Sequence, residues 1–181
     1  IGRFDDAIAE GTKGVTLEPV SPLVGSYLAC IFLFARQYER SLDECRRVLE
    51  LDGNFVLALW FQAELLSVLG RHEEAVEAAE HAVFLTKRFT FFLGILGRLY
   101  ARAGQETKAQ ALLDELTTRS NQGYVSPMGF AHVYMGLGDK DRAFEWLEEA
   151  YEERSAMLTN LPMAPWFDPL RSDPRLNDLL R

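Results

Sequence analysis

Apolar residues return along this chain at helical spacing, in two alternating kinds of segment, and small residues mark the same place in each. Leu28, Ile31, Phe32 and Ala35 make one stripe, and Leu96, Leu99, Tyr100 and Ala103 repeat it two units later. Ala7, Ser41, Ala75, Ala109 and Ala143 stand thirty-four residues apart, as do Ala29, Ala63, Gly97 and Ala131. Gly2, Gly70, Gly104 and Gly138 keep the same period, with Arg36 in the one gap. Two helical patterns in a period of this length predict a stacked array of helix hairpins. In such an array each unit touches only its neighbours, so function resides on an extended surface and not in a buried cleft.

The pattern predicts first helices over 22–35, 56–69, 90–103 and 126–137, and second helices over 38–51, 71–85, 105–118 and 139–154. A preceding second helix starts near Arg3 and ends before Pro19. Ser21-Pro22 and Ser126-Pro127 each set a capping hydroxyl before a proline at the first helical position, where its missing N–H is not needed. The glycines at 70, 104 and 138 fall between paired helices, where a left-handed residue closes the turn. The recurring Ala and Gly fall where paired helices cross and a small side chain permits close approach.

Composition narrows the function classes. At 181 residues and 48% hydrophobic, the chain can bury a core without disulfides or metal. A net charge of -8, from 19 basic and 27 acidic side chains, argues against nucleic acid, which requires clustered Lys and Arg. Cys30 and Cys45 make no disulfide framework and fit a reducing compartment. The longest apolar run, 27–35, is too short to cross a bilayer, and no signal peptide is visible. The chain opens without Met and in mid-unit, which reads as a piece of a larger cytoplasmic protein.

No catalytic constellation emerges. His72-Glu73 begins like a zinc-protease motif, but position 76 is Val. Cys30 and His132 occupy equivalent places three units apart, about 25–30 Å at ordinary helix spacing, too far for a dyad. The chain is expected to be no enzyme and to hold no metal or cofactor.

The spacing resembles the tetratricopeptide repeat. The third full unit carries the family's small, aromatic and turn positions as Gly97, Tyr100, Gly104 and Ala109, and the fourth as Ala131, Tyr134, Gly138, Ala143 and Ala150. Arg36 and Leu66 depart from the pattern. The resemblance implies an all-α, right-handed superhelical solenoid of antiparallel helix pairs over 1–155. Residues 156–181 follow as a terminal segment, with 161–165 extended and a capping helix that uses Asp173-Pro174 and the stripe Leu176, Leu179 and Leu180. The stretch GLGDKDRAFEWLEEAYEERS, followed by WFDPLRSDPRLNDLLR, is similar to the end of repeat regions in bacterial multidomain regulators, where it follows winged-helix transcription factors, nucleotide cyclases or serine/threonine kinases.

In this family the second, fifth, sixth, ninth, twelfth and thirteenth places of each unit line a concave groove. The resemblance therefore implies a partner-binding groove containing Tyr27, Trp60, Phe61, Glu64, Phe91, Ile95, Arg98, Arg102 and His132. Tyr27, Trp60 and Phe61 are the expected anchors, and Arg98 with Arg102 the expected carboxylate pair. Ser26, Cys30, Trp60 and Glu64 stand where a chaperone-tail clamp has Lys and Asn, so that use is not expected. The reading is a protein–protein interaction or scaffolding module binding a peptide or protein. The alternative is a homodimerisation module bringing upstream effector domains together. An upstream unit, a second copy and the chain's own 161–167 segment remain alternative occupants of the aromatic patch.

Overall fold

The computed structural model describes residues 3–179, so Gly2 and Leu180, which the pattern also uses, lie outside the described residues. Among the described residues every regular element is helical. The chain divides after Leu85 into two compact units. The first contains α1 (Phe4–Leu17), α2 (Pro22–Phe34), α3 (Tyr38–Leu51), α4 (Val56–Val68) and α5 (His72–Leu85). The second contains α6 (Thr90–Arg102), α7 (Glu106–Ser120), α8 (Pro127–Leu137), α9 (Lys140–Glu152), two 3-10 turns (Ala156–Asn160 and Pro165–Leu170) and α10 (Pro174–Leu179). Each predicted helix of the array is found within two residues of its expected ends.

Adjacent helices pair as hairpins, α2 with α3 and α4 with α5 in the first unit, α6 with α7 and α8 with α9 in the second. The small-residue positions sit at these crossings. Ala29, Ser41, Ala63, Ala75, Ala109, Ala131 and Ala143 are completely buried. Ser41 shows how little space the crossing leaves: its hydroxyl donates to the Ala29 carbonyl at 2.8 Å, across the pair.

The turn within each hairpin has one geometry. The N–H groups of Gln37, Arg71, Gln105 and Asp139 donate to the carbonyls of Phe32, Leu66, Tyr100 and Tyr134, each bond closing the last turn of a first helix. The residue just before each donor is left-handed: Gly70, Gly104 and Gly138 at φ 77°, 73° and 77°, and Arg36 at φ 61°. Arg36 thus adopts the conformation that glycine takes at no steric cost. Arg36→Gly is expected to raise stability by about 0.5–1 kcal/mol, the relief of strain exceeding the added unfolded-state entropy. A urea midpoint that falls instead would mean that the Arg36 contact to the Tyr38 hydroxyl, 3.3 Å in the structure, outweighs the backbone term.

Caps divide by site. The Ser21 hydroxyl accepts from the Val24 N–H at 3.4 Å, a long bond, whereas Ser126 holds the cap position of α8 without making a side-chain cap bond. Pro127 follows it and has no N–H, which leaves one fewer donor to satisfy.

The terminal segment departs from the expected extended run. Residues 161–163 are turns, and Pro165–Leu170 is a 3-10 helix. Prolines 162, 165 and 169 remove backbone donors and exclude α-helix. The N–H groups of Met163 and Ala164 return to the Asn160 carbonyl, and the Arg171 guanidinium donates to the carbonyls of Pro162 and Ala164. The thirty-four-residue register nevertheless continues here. Asp173 caps α10 through the Arg175 N–H, as Asp139 caps α9 through the Arg142 N–H. Arg175 also reaches back one full period to Asp141 at 2.9 Å and lies over the Phe144 ring. The segment 156–179 is therefore a stunted further unit, with a 3-10 turn in the register of a first helix and a short α10 in that of a second.

Candidate functional site

The ninth place of successive units carries Cys30, Glu64, Arg98 and His132, a thiol, a carboxylate, a guanidinium and an imidazole in one column of the repeat. The column divides between the two units, and each half has its own environment.

In the first unit α2 and α4 lie side by side. Tyr27 is 56% exposed and Leu23 48%, both on α2. On α4, Trp60 is half-buried and stacks on Phe61 with centroids 5.1 Å apart. The Trp60 indole N–H donates to Glu64 at 3.3 Å, one turn further along. Phe61 and Glu64 are themselves buried. Of the three expected anchors, Tyr27 and Trp60 thus present surface, while Phe61 supports Trp60 from beneath. Burial pushes the Cys30 and Cys45 thiols up to about 12, so neither is a ready nucleophile.

In the second unit the first helices approach much more closely. A methyl group added at Gly94 on α6 would lie 2.5 Å from the Gly129 Cα on α8, and one at Gly136 would lie 2.6 Å from the Arg98 Cα. Backbones in contact at these glycines leave no room between α6 and α8. Ile95, Arg98 and His132 are accordingly buried, Phe91 is half-buried and Arg102 is exposed. The two arginines expected to act together are separated in role. Arg98 Nε donates to His132 Nδ1 at 3.2 Å, a bond spanning one period, and Arg102 lies at the solvent-exposed end of α6.

His132 receives this bond only as the neutral ring, with its proton on Nε2. Burial, and then the Arg98 charge, hold its pKa well below the ordinary imidazole value. Its ring meets Phe91 edge-on at 6.1 Å and lies nearly parallel to Phe167 at 6.0 Å. Phe167 and Trp166 were not among the expected site residues. Their signal was in the register, since Trp166 stands thirty-four residues after His132. The Gly94–Gly129 approach was also missed, although Gly94 and Gly97 three apart inside an apolar helix were its visible mark.

In the second unit the polar side chains Arg98 and His132 are engaged with one another, and the His132 ring with Phe91 and Phe167. Among the described residues no group of three His, Cys, Asp or Glu side chains is placed to hold a metal ion, and no helix is long and apolar enough to cross a membrane.

Comparison with known proteins agrees with this geometry. Residues 128–156, covering most of the α8–α9 hairpin, match the tetratricopeptide repeat. A crystal structure of MamA is similar over 86% of this chain and 91% of its own, with 18% identity and a TM-score of 0.60. A second MamA crystal structure is similar over 88% and 85%, with 18% identity and a TM-score of 0.58. The chain has an all-helical fold of the tetratricopeptide-repeat type.

Proposed function

We propose that the chain is a protein–protein interaction scaffold whose first unit receives an extended peptide or amphipathic helix on the α2/α4 face. The observation that carries this reading is the exposed Tyr27 and Leu23 on α2 with half-buried Trp60 on the neighbouring α4. Large rigid aromatic side chains give contact area at low entropic cost, which is why they dominate binding energy at interfaces. The tetratricopeptide-type fold supports a binding and not a catalytic role. The similarity of 136–155 and 166–181 to the repeat regions of bacterial regulators supports a regulatory place in a larger cytoplasmic protein.

The test is a displayed-peptide selection against the chain, followed by titration of the selected peptides into wild type, Tyr27→Ala and Trp60→Ala. Each substitution is expected to weaken binding by roughly 2 kcal/mol, the usual loss at a central aromatic anchor. Peptides that bind all three proteins equally would move the site off this face.

Exposed Leu17 and Val20, near Leu23 and Tyr27 in sequence, favour a second reading, in which two copies associate through this end of the first unit. Light scattering separates the readings. A mass that doubles with concentration in wild type but not in Tyr27→Glu supports the dimer.

A further inference from the structure

The connections that lead from one hairpin to the next differ in what holds them. Those at 18–21, 52–55 and 121–126 contain no left-handed residue. The one at 86–89 holds two in succession, Lys87 at φ 51° and Arg88 at φ 59°, and has no glycine to accommodate them. Residues with a Cβ resist that conformation, which persists only where the surroundings impose it. In the second unit they do. Arg88 is paired with Glu115, Arg119 donates to the same carboxylate at 2.6 Å, and Arg119 also donates to the Arg88 carbonyl at 2.9 Å. The Arg88 hydrogen bond, with the Arg119 charge behind it, holds Glu115 below the ordinary carboxylate range, so the clamp stays ionised at neutral pH.

What the clamped turn presents is a positive, aromatic surface on a chain whose net charge is -8. Lys87 is exposed and enters no ion pair among the described residues. With Arg88 and Arg119 it sets three cations against the single carboxylate of Glu115. Phe89 follows at 58% exposure, its ring 6.4 Å from that of Phe92. Tyr124, 75% exposed, precedes α8, whose start touches that of α6: a methyl group added at Gly129 would lie 3.3 Å from the Thr90 carbonyl. The Tyr124 hydroxyl donates to Glu153 at 2.7 Å. This edge of the α6/α8 pair therefore runs from basic at Lys87, through the Phe89 ring, to acidic at Glu153.

We propose that the turn at 86–89 is a second interaction surface, made of other residues than the α2/α4 face, for an acidic segment of a partner protein that carries an apolar side chain. The partner's carboxylates pair with Lys87 and with the solvent-facing sides of the Arg88 and Arg119 guanidinia. Its apolar side chain lies on Phe89. The strained backbone has a use in this, because a turn already fixed in place loses little entropy when a partner docks. Charge selects a short segment over a membrane. A peptide feels the local cations within a screening length of about 8 Å, whereas an anionic bilayer meets the whole negative chain.

The test titrates the 181-residue chain into a fluorescein-labelled peptide, Asp-Glu-Asp-Phe-Leu-Glu-Asp-Glu, read by anisotropy. Wild type is expected to bind it and to ignore the counterpart in which Asn and Gln replace the acids. Lys87→Glu and Phe89→Ala are each expected to weaken binding about ten-fold, the loss of one central contact. Lys87→Arg should preserve it. Both side chains are exposed, so these variants are expected to keep the wild-type helical circular dichroism. Tyr27→Ala should leave binding of this peptide unchanged, whatever becomes of the α2/α4 face. A wild type that does not bind overturns the proposal, and so does equal binding by Lys87→Glu or a loss seen in Tyr27→Ala alone. Cosedimentation with phosphatidylserine vesicles of wild type, but not of Lys87→Glu, would assign the turn to a membrane and overturn it as well.

Discussion

Replacing Ala109 by Asp lowers the stability of this protein by about 3 kcal/mol or more. Ala109 is completely buried on α7, at the place where Ser41, Ala75 and Ala143 cross their partners in the other hairpins. Ser41 sets the scale. One hydroxyl fits there, and it is hydrogen-bonded to the facing helix at 2.8 Å. Asp adds a further oxygen and a charge at a position closed to solvent. Both the displaced packing and the desolvated carboxylate oppose folding, while the loss of helix propensity adds only about half a kcal/mol. Ala111→Asp supplies the control, on the same helix but at an exposed position, and should stay within about 0.5 kcal/mol of wild type. Equal urea midpoints for the two variants would refute the crossing.

Gly94→Val has the second large effect, about 3 kcal/mol of destabilisation. In isolation the change favours the helix, because glycine is the poorer helix former by several tenths of a kcal/mol. The neighbour reverses the sign. The first added carbon already lies 2.5 Å from the Gly129 Cα, and backbone cannot swing aside as a side chain can. The helices must separate, and separation strains the Arg98–His132 bond that spans the same interface. Gly123→Ala, with nothing within 4 Å of the added methyl, should be nearly neutral. A thermal unfolding midpoint unchanged by Gly94→Val would show that α6 and α8 stand further apart than the structure places them.

These two positions were not equally visible beforehand. Ala109 lies in a column of small residues, and its crossing follows from the period. Helix ends were legible for a similar reason: a Ser-Pro start, a left-handed turn and the apolar stripe are local features. Thus 38–51 and the starts at 22, 56 and 90 could be read residue by residue. Gly94 belongs to no column, because the approach of α6 to α8 depends on side chains from two helices thirty-four residues apart. The expected groove depended on the same hidden distance. Periodicity identifies the side of a helix on which Ile95, Arg98 and His132 lie, but the spacing of neighbouring first helices decides whether that side reaches water. At Gly94 and Gly129 that spacing collapses, and the side closes. The division after Leu85 was likewise unmarked by glycine. It precedes Lys87 and Arg88, both left-handed, with Arg88 held by Glu115 and its carbonyl by Arg119 at 2.9 Å.

Prolines 162, 165 and 169 have a consequence for growth of the array. A repeat extends because each unit offers its successor a straight helical ridge against which to lay down the next one. The turns at 161–163 and the short 3-10 helix Pro165–Leu170 offer no such ridge, and no side-chain substitution that leaves the prolines in place can restore one.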